Sequence, residues 1–372
     1  MKILYLPSLD LQFRPRNLID KLRYKLYQDG LEFMLPRFGV SGELNSVGGL
    51  AALDGVEFFV IDEIHPFYFT SDPAKFNSIS NCEHYPSNSG FAEPRRVHPR
   101  QVLTGEVLPE LVLASIRHSK PAKQILTACQ RRDIPIALLD KYDHPEVFTT
   151  EGVRLDRSTD VRYHLYLKQD LPRGAGTDVF VPLAPVPVAM SLLQRLQKMP
   201  AQEKTLTWSF VGDYRRGVTR KDRQDIIHYL QREFANHRCV MGHDKRSVDG
   251  LSQDQLFSSS MFNVSPGGKV WDSYRHTALS GYGTPIVMPR PDIESLGQLP
   301  CEETALLYDT RVVNGDVEAV LDDRFNDAIN NLIDSPRDRT MMATSWFEVV
   351  KKEHTHEARA KQLLERFKLL LK

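Results

Sequence analysis

The apolar positions of this chain fall into short blocks separated by polar punctuation. In the first half, residues 3–6, 56–61, 134–139 and 163–167 are brief apolar runs that read as buried strands. Between them, residues 17–28 place Leu18, Leu22 and Leu26 on one helical face, and residues 108–118 and 122–132 read as further helices around Pro121. A proline-rich segment, VPLAPVPVAM, follows at residues 181–190. Pro182, Pro185 and Pro187 can neither continue a helix nor sit in a central strand, which makes the segment a linker and hinge. The rhythm then restarts. Strands are predicted over 205–211, 238–241, 261–264, 285–288 and 305–308. Helices are predicted over 220–234, 252–259 (with Ser252 as cap), 272–280, 317–333 and 340–371.

Strands alternating with helices imply βαβ units and mostly parallel sheets. The expected fold class is α/β, with two Rossmann-like, doubly wound domains facing each other across a cleft. The expected boundaries are residues 1–185, 186–340 and a C-terminal helical piece, 341–372, packing back on the domains. In open α/β sheets, function collects beyond the C-terminal ends of strands. The stretches 36–49 and 69–100 break the rhythm, and the longer one reads either as a lid or acceptor loop or as a disordered insertion.

Charge narrows the function classes. The 372 residues hold 48 Lys plus Arg and 48 Asp plus Glu, so the net charge is zero and nucleic acid is not an expected partner. Cys82, Cys129, Cys239 and Cys301 are too scattered for a disulfide framework or a zinc site and fit a reducing compartment, so a cytoplasmic location is expected. No apolar stretch reaches the roughly 18 residues a membrane helix needs. Leu363, Leu364, Phe367 and Leu370 form a packing stripe. Their basic neighbours Lys351, Lys352, Arg366 and Lys368 leave room for peripheral contact with the inner membrane face. His354, Thr355, His356 and Glu357 read as the start of a last helix rather than as a metal motif.

The stretch SMFNVSPGGKVWDSYRHTALSGYGTPIVMP, residues 260–289, carries the chemistry. A strand runs into a loop with Gly267, Gly268 and Lys269, and the loop into a helix. Glycines let backbone approach a phosphate, and a helix start offers N–H groups. Asp272 or Ser273 can cap the helix, and Arg275 can reach a phosphate oxygen. A plain turn at the glycines with Gly281 as a C-cap is the alternative, since no standard phosphate-loop spacing is present. Upstream, SFVGDYRRGVTRKDR (209–223) ends a strand at Gly212 and then supplies Arg215, Arg216, Arg220 and Lys221 at a helix entrance. Cations there oppose the helix dipole, so an anionic ligand would be stabilising; the alternative is a solvated basic face.

These motifs, with LFSSSMFNVSPGG, ALLYDT and the closing helical run from Asn331 to Phe367, resemble the donor domain of GT-B glycosyltransferases. The likeness is to the exostosin-like group and related bacterial glycosyltransferases of polysaccharide biosynthesis. It covers residues 206–367, with weaker matches at IPIALLDKYDHPE and YHLYLKQDL in the first half. The resemblance implies that Gly267, Gly268, Lys269 and Arg275 face a nucleotide-sugar diphosphate, and that Arg215, Arg216 or Arg220 neutralises phosphate charge. It also implies a glycan or glycoconjugate acceptor at the N-terminal domain. The family often has a ribose-holding glutamate about two residues after the helix arginine. Thr277 stands there instead, so ribose binding would fall to Thr277, Asp272 or another residue.

No Asp-x-Asp triplet marks a metal site beside a strand end, and cationic side chains can stabilise a leaving diphosphate without metal or other cofactor. An inverting transfer needs a proton acceptor. Asp140, Asp143 and His144, after the strand at 134–139, are the candidates, with Asp10, Asp62 and Glu63 as second choices and Lys168 as a phosphate or acceptor contact. A turn before Pro145 is the plainer reading of Asp143 and His144. Two alternatives share the fold: a nucleotide-sugar epimerase, and a non-catalytic sugar-nucleotide or glycan-binding subunit.

Overall fold

The computed structural model describes residues 1–6, 47–61, 94–115, 120–140, 161–169, 171–175, 177–212, 220–234, 236–240, 252–268 and 271–372. Asp10, Asp62, Glu63, Asp143, His144, Arg215, Arg216, Lys269 and the helix predicted at 17–28 lie outside the described residues. The chain divides into two compact units: Met1–Leu183 with His356–Lys372, and Ala184–Thr355. In chain order the helices are α1 (Pro99–Thr104), α2 (Lys120–Gln130), α3 (Met190–Gln197), α4 (Lys221–Glu233), α5 (Gln253–Ser258), α6 (Tyr274–Ala278), α7 (Asp323–Asp334), α8 (Pro336–Glu353) and α9 (His356–Leu370).

The first unit is built on strands β1 (Lys2–Leu6), β2 (Glu57–Ile61), β3 (Arg95–Val97), β4 (Leu111–Ser115), β5 (Ile136–Asp140), β6 (Leu165–Lys168) and β7 (Phe180–Pro182). They lie in the order β3-β2-β1-β4-β5-β6-β7, every pairing parallel. Such a sheet buries both faces, so its strands are continuous apolar runs rather than alternating ones. Leu4, Leu6, Phe59, Ile61, Val112, Ala114, Ile136 and Leu138 form one core with Ala122, Ile125, Leu126 and Cys129 of α2. Residues 111–115 correct the helix expected at 108–118. The run LVLAS is buried at every position between β1 and β5, and a short apolar block fits a central strand as well as a helix.

The second unit holds β8 (Leu206–Val211), β9 (His237–Val240), β10 (Ser260–Val264), β11 (Ile286–Pro289), β12 (Leu306–Val313) and β13 (Asp316–Val320), in the order β13-β12-β11-β10-β8-β9. All pairings are parallel except the β12/β13 hairpin. One face packs Trp208, Phe210, Phe262 and Val287 against Ile226 and Leu230 of α4 and Ile329 of α7. The other packs Leu206, Ile286 and Met288 with Leu193 of α3 and Trp346, Phe347 and Val350 of α8. These α8 contacts keep residues 336–353 in the second unit, and the chain returns to the first at His356.

Two further expectations change. The helix predicted over 317–333 is the strand β13 followed by α7. Asn314 and Gly315 have φ of 52° and 84°, the pair of left-handed residues a tight hairpin turn demands, and the chain reverses there. The helix predicted over 272–280 shrinks to α6 and a 3-10 turn at Leu279–Tyr282, closed by Gly283 at φ 62°. Within it Thr277 and Ser280 hydroxyls bond to the carbonyls of Tyr274 and Thr277. Side-chain bonds of this kind compete with the helical ladder. Among the described residues, no helix is long and apolar enough to cross a membrane.

Candidate functional site

In the second unit the strand order reverses between β8 and β10, because the chain goes from β8 to β9 on one side and then to β10 on the other. Ligands of open parallel sheets bind outside the strand ends at such a reversal. Gly212 follows β8, and Ser265, Pro266, Gly267 and Gly268 follow β10. Both groups of candidates therefore share this edge of the sheet.

The loop after β10 is held by the start of α4. Arg223 donates from Nε to the Gly267 carbonyl (2.7 Å) and from Nη2 to that of Pro266 (3.4 Å), and the Arg220 amide donates to the Gly268 carbonyl (3.2 Å). Three successive carbonyl oxygens are thus engaged on one side. Among the described residues, the N–H groups of Gly267 and Gly268 make no hydrogen bond. Successive open N–H groups are what a backbone anion site requires.

Arg275 lies across Gly212. A Cβ on that glycine would stand 3.1 Å from Arg275 Nη2, so the absence of a side chain lets the guanidinium reach the end of β8. The half-buried guanidinium also lies over the Tyr274 ring, 5.5 Å from its centroid. Among the described residues it has no hydrogen-bond acceptor or carboxylate partner. Arg220, by contrast, is matched: its Nε and Nη2 donate to both oxygens of Asp222, at 3.0 and 3.2 Å. Tyr308 also donates to Asp222, at 3.1 Å. Burial raises the Asp222 pKa even though Arg220 and Tyr308 favour its charged form. The three guanidinium groups of Arg220, Arg223 and Arg275 outnumber the two carboxylates, Asp222 and Asp272, among these residues.

Asp272 and Thr277 have other partners. The Asp272 carboxylate accepts from the Val186 amide (3.1 Å), and the Thr277 hydroxyl lies 2.8 Å from the Val186 carbonyl. Together they tie the chain just after Ala184 to the base of α6. Ser273 caps α6, with its hydroxyl accepting from the Arg275 amide at 3.4 Å. Two residues absent from the sequence-derived set complete the site. Arg223 orders the loop, and His276 joins Ser265 to Trp271: Ser265 Oγ–H donates to Nδ1, and Nε2–H donates to the Trp271 carbonyl, both at 2.8 Å. Burial, then the charges of Arg223, Arg275 and Arg220, lower the His276 pKa to about 3, against the opposing Trp271 bond, so the ring is neutral.

In the first unit, Asp140 ends β5 in register with Lys168 at the end of β6. Its carboxylate accepts from Lys168 Nζ at 2.9 Å and from the Tyr166 hydroxyl at 2.5 Å, and all three residues are buried. Burial, then the Asp140 charge, raise the Tyr166 pKa well above that of an ordinary phenol. This is a closed polar cluster rather than an open carboxylate.

No protein-family model matches the chain, and no curated protein sequence does. Solved structures do. A glycosyltransferase from Rickettsia africae ESF-5 matches all of this chain and 98% of its own, at 10% identity and a TM-score of 0.51. AviGT4, a glycosyltransferase involved in avilamycin A biosynthesis, covers 100% and 98% at 11% identity and a TM-score of 0.45. The UDP-GlcNAc 2-epimerase from Neisseria meningitidis bound to UDP-GlcNAc covers 99% and 100% at 11% identity and a TM-score of 0.37. The chain has the GT-B fold, two α/β units with mostly parallel sheets, shared with glycosyltransferases.

Proposed function

We propose that the protein is a GT-B glycosyltransferase that takes a sugar from a nucleotide-sugar donor bound by the second unit. The observation that carries this reading is that the Arg275 guanidinium and the N–H groups of Gly267 and Gly268 stand at the strand reversal without a hydrogen-bond acceptor among the described residues. Transfer breaks the bond between the anomeric carbon and a phosphate oxygen, and negative charge grows on the departing diphosphate. Preorganised donors aimed at that oxygen stabilise the charge as it develops. Arg275 and the two amides supply such donors, and Arg220 and Arg223 add positive potential, so the chemistry proceeds without a metal or other cofactor.

The reaction is proposed to invert the anomeric centre, with Asp143 or His144 taking the proton from the acceptor hydroxyl. Asp140 is the least suited of the three candidates, since its carboxylate already accepts from Tyr166 and Lys168. A glycan or glycoconjugate acceptor, and a cytoplasmic setting with contact at the inner membrane face, belong to the same proposal.

The test is binding of UDP-, GDP-, CMP- and dTDP-sugars to the purified chain, followed by calorimetry with Arg275→Ala. One nucleotide class should stabilise the wild type, and Arg275→Ala should weaken it at least tenfold. An Arg275→Ala variant that binds as tightly as wild type sinks the site. Release of nucleoside diphosphate during turnover with a glycan acceptor separates a transferase from an epimerase and from a binding subunit.

A further inference from the structure

We infer that His276 is a positioning residue for diphosphate recognition, acting through Ser265 and Trp271 rather than on the ligand. The inference rests on the donor-site reading above.

His276 sits where the two halves of that site meet. It follows Arg275 directly, and its ring reaches back to Ser265, the first residue of the loop that ends in Gly267 and Gly268. The side chain is fully buried, so it does not itself touch a ligand. Each polar atom it offers is used. Nδ1 accepts from Ser265 Oγ, Nε2–H donates to the Trp271 carbonyl, and its own carbonyl accepts from Trp346 Nε1 at 2.6 Å. Trp271 Nε1 donates onward to the Pro289 carbonyl at 2.8 Å, at the end of β11. One imidazole therefore ties the end of β10, the segment entering α6 and, through Trp271, the end of β11.

The protonation state is part of the device. A neutral ring with its hydrogen on Nε2 can accept from Ser265 and donate to Trp271 at once. An imidazolium could not accept from Ser265 and would add a cation beside Arg220, Arg223 and Arg275. Two constraints then converge on the glycine loop: Arg223 holds its carbonyls from the α4 side, and His276 holds its first residue from the α6 side. An anion site built from backbone N–H groups works only if the backbone is held in place before the ligand arrives.

The experiment compares UDP, ADP and GDP with uridine, adenosine and guanosine by calorimetry, on wild type, Ser265→Ala, His276→Phe and His276→Asn. The readout is the ratio of nucleoside Kd to nucleoside diphosphate Kd. A variant that merely lowers the folded fraction weakens both ligands alike and leaves the ratio fixed. Ser265→Ala and His276→Phe are expected to lower the ratio tenfold or more, with nucleoside affinity within twofold of wild type. His276→Asn carries an acceptor near the Nδ1 position and should recover part of the ratio. Equal weakening of both ligands, or an unchanged ratio, overturns the proposal. If His276→Phe does not fold, Ser265→Ala decides the matter, because it removes one hydroxyl and leaves the ring in place. A wild type that binds none of the three diphosphates removes the donor-site reading and this inference with it, whereas a wild type that binds with an unmoved ratio removes this inference alone.

Discussion

Replacing Asp140 by Asn leaves the Lys168 ammonium inside the first unit without the carboxylate that lies 2.9 Å from it. Both side chains are at most 1% exposed, so water cannot take over the lost interaction. Removing one partner of a buried pair typically costs about 3–5 kcal/mol, because the desolvation of the survivor loses its largest offset. The Tyr166 hydroxyl loses a charged acceptor at the same time, a bond worth roughly 1.5–3 kcal/mol, which pushes the value toward the upper end of that range. Lys168→Met should cost a similar amount. The double variant Asp140→Asn/Lys168→Met removes both charges and should lose less than about 2 kcal/mol, so the coupling energy comes to about 4 kcal/mol or more. The assay follows from the placement of the tryptophans. Trp208, Trp271 and Trp346 all lie in the second unit, so tryptophan fluorescence in a urea titration follows that unit, while far-UV circular dichroism follows both. The Asp140 effect is the shift of the transition seen by dichroism but not by fluorescence. A loss below about 1 kcal/mol for Asp140→Asn would refute the ion-pair account and return Asp140 to the list of available proton acceptors.

Two further predictions concern the second unit. Gly212→Ala puts a Cβ 2.9 Å from Phe210 Cζ and 3.1 Å from Arg275 Nη2. It should cost about 1–3 kcal/mol of stability and weaken nucleoside diphosphate binding about tenfold, measured by fluorescence-monitored unfolding and calorimetry; unchanged binding would show that Arg275 does not need that approach. His276, held at about 3 in the fold against an ordinary value near 6.5, takes up a proton in the unfolded chain but not in the native one as pH falls. Its contribution is complete above pH 6.5 and is lost on acidification. The tryptophan-detected stability should therefore drop by about 2 kcal/mol more between pH 7 and pH 5 in wild type than in His276→Gln, and equal slopes would contradict the neutral-ring assignment.

Much of the architecture was legible because a parallel sheet buried on both faces leaves a plain trace. Ile3–Leu6, Phe58–Ile61 and Ile136–Leu139 are unbroken apolar blocks, and such blocks have few other homes. The same property hid β4, since Leu111 and Val112 beside Leu108 also satisfy a helical period. The β12/β13 hairpin was missed for a different reason. Its signal is the two-residue turn Asn314-Gly315, and an apolar-periodicity reading passes over it.

At the candidate site, sequence identifies which polar residues stand at strand ends but not which remain available. That property belongs to pairs, and the pairs are long-range. Asp140 and Lys168 look like two separate strand-end groups until β5 and β6 are known to be neighbours in register; then each uses the other. Arg220 and Arg275 look equally suited to a phosphate, yet Arg220 is forked onto Asp222 two residues away, while Arg275 faces a glycine and has no carboxylate or hydrogen-bond acceptor among the described residues. Arg223 reads as one more charge on a basic helix, and its task appears only when the Gly267 carbonyl, 44 positions along the chain, is brought to its Nε. The same logic reinterprets the neutral composition. Equal numbers of cations and carboxylates do not make each site neutral, because local pairing decides what potential a ligand meets. At the end of β8 and β10 the Arg220, Arg223 and Arg275 guanidinium groups outnumber the Asp222 and Asp272 carboxylates, and the residue between Arg275 and Thr277 is a histidine kept uncharged. An uncharged ring at that position holds the loop without repelling the arginines that a diphosphate needs.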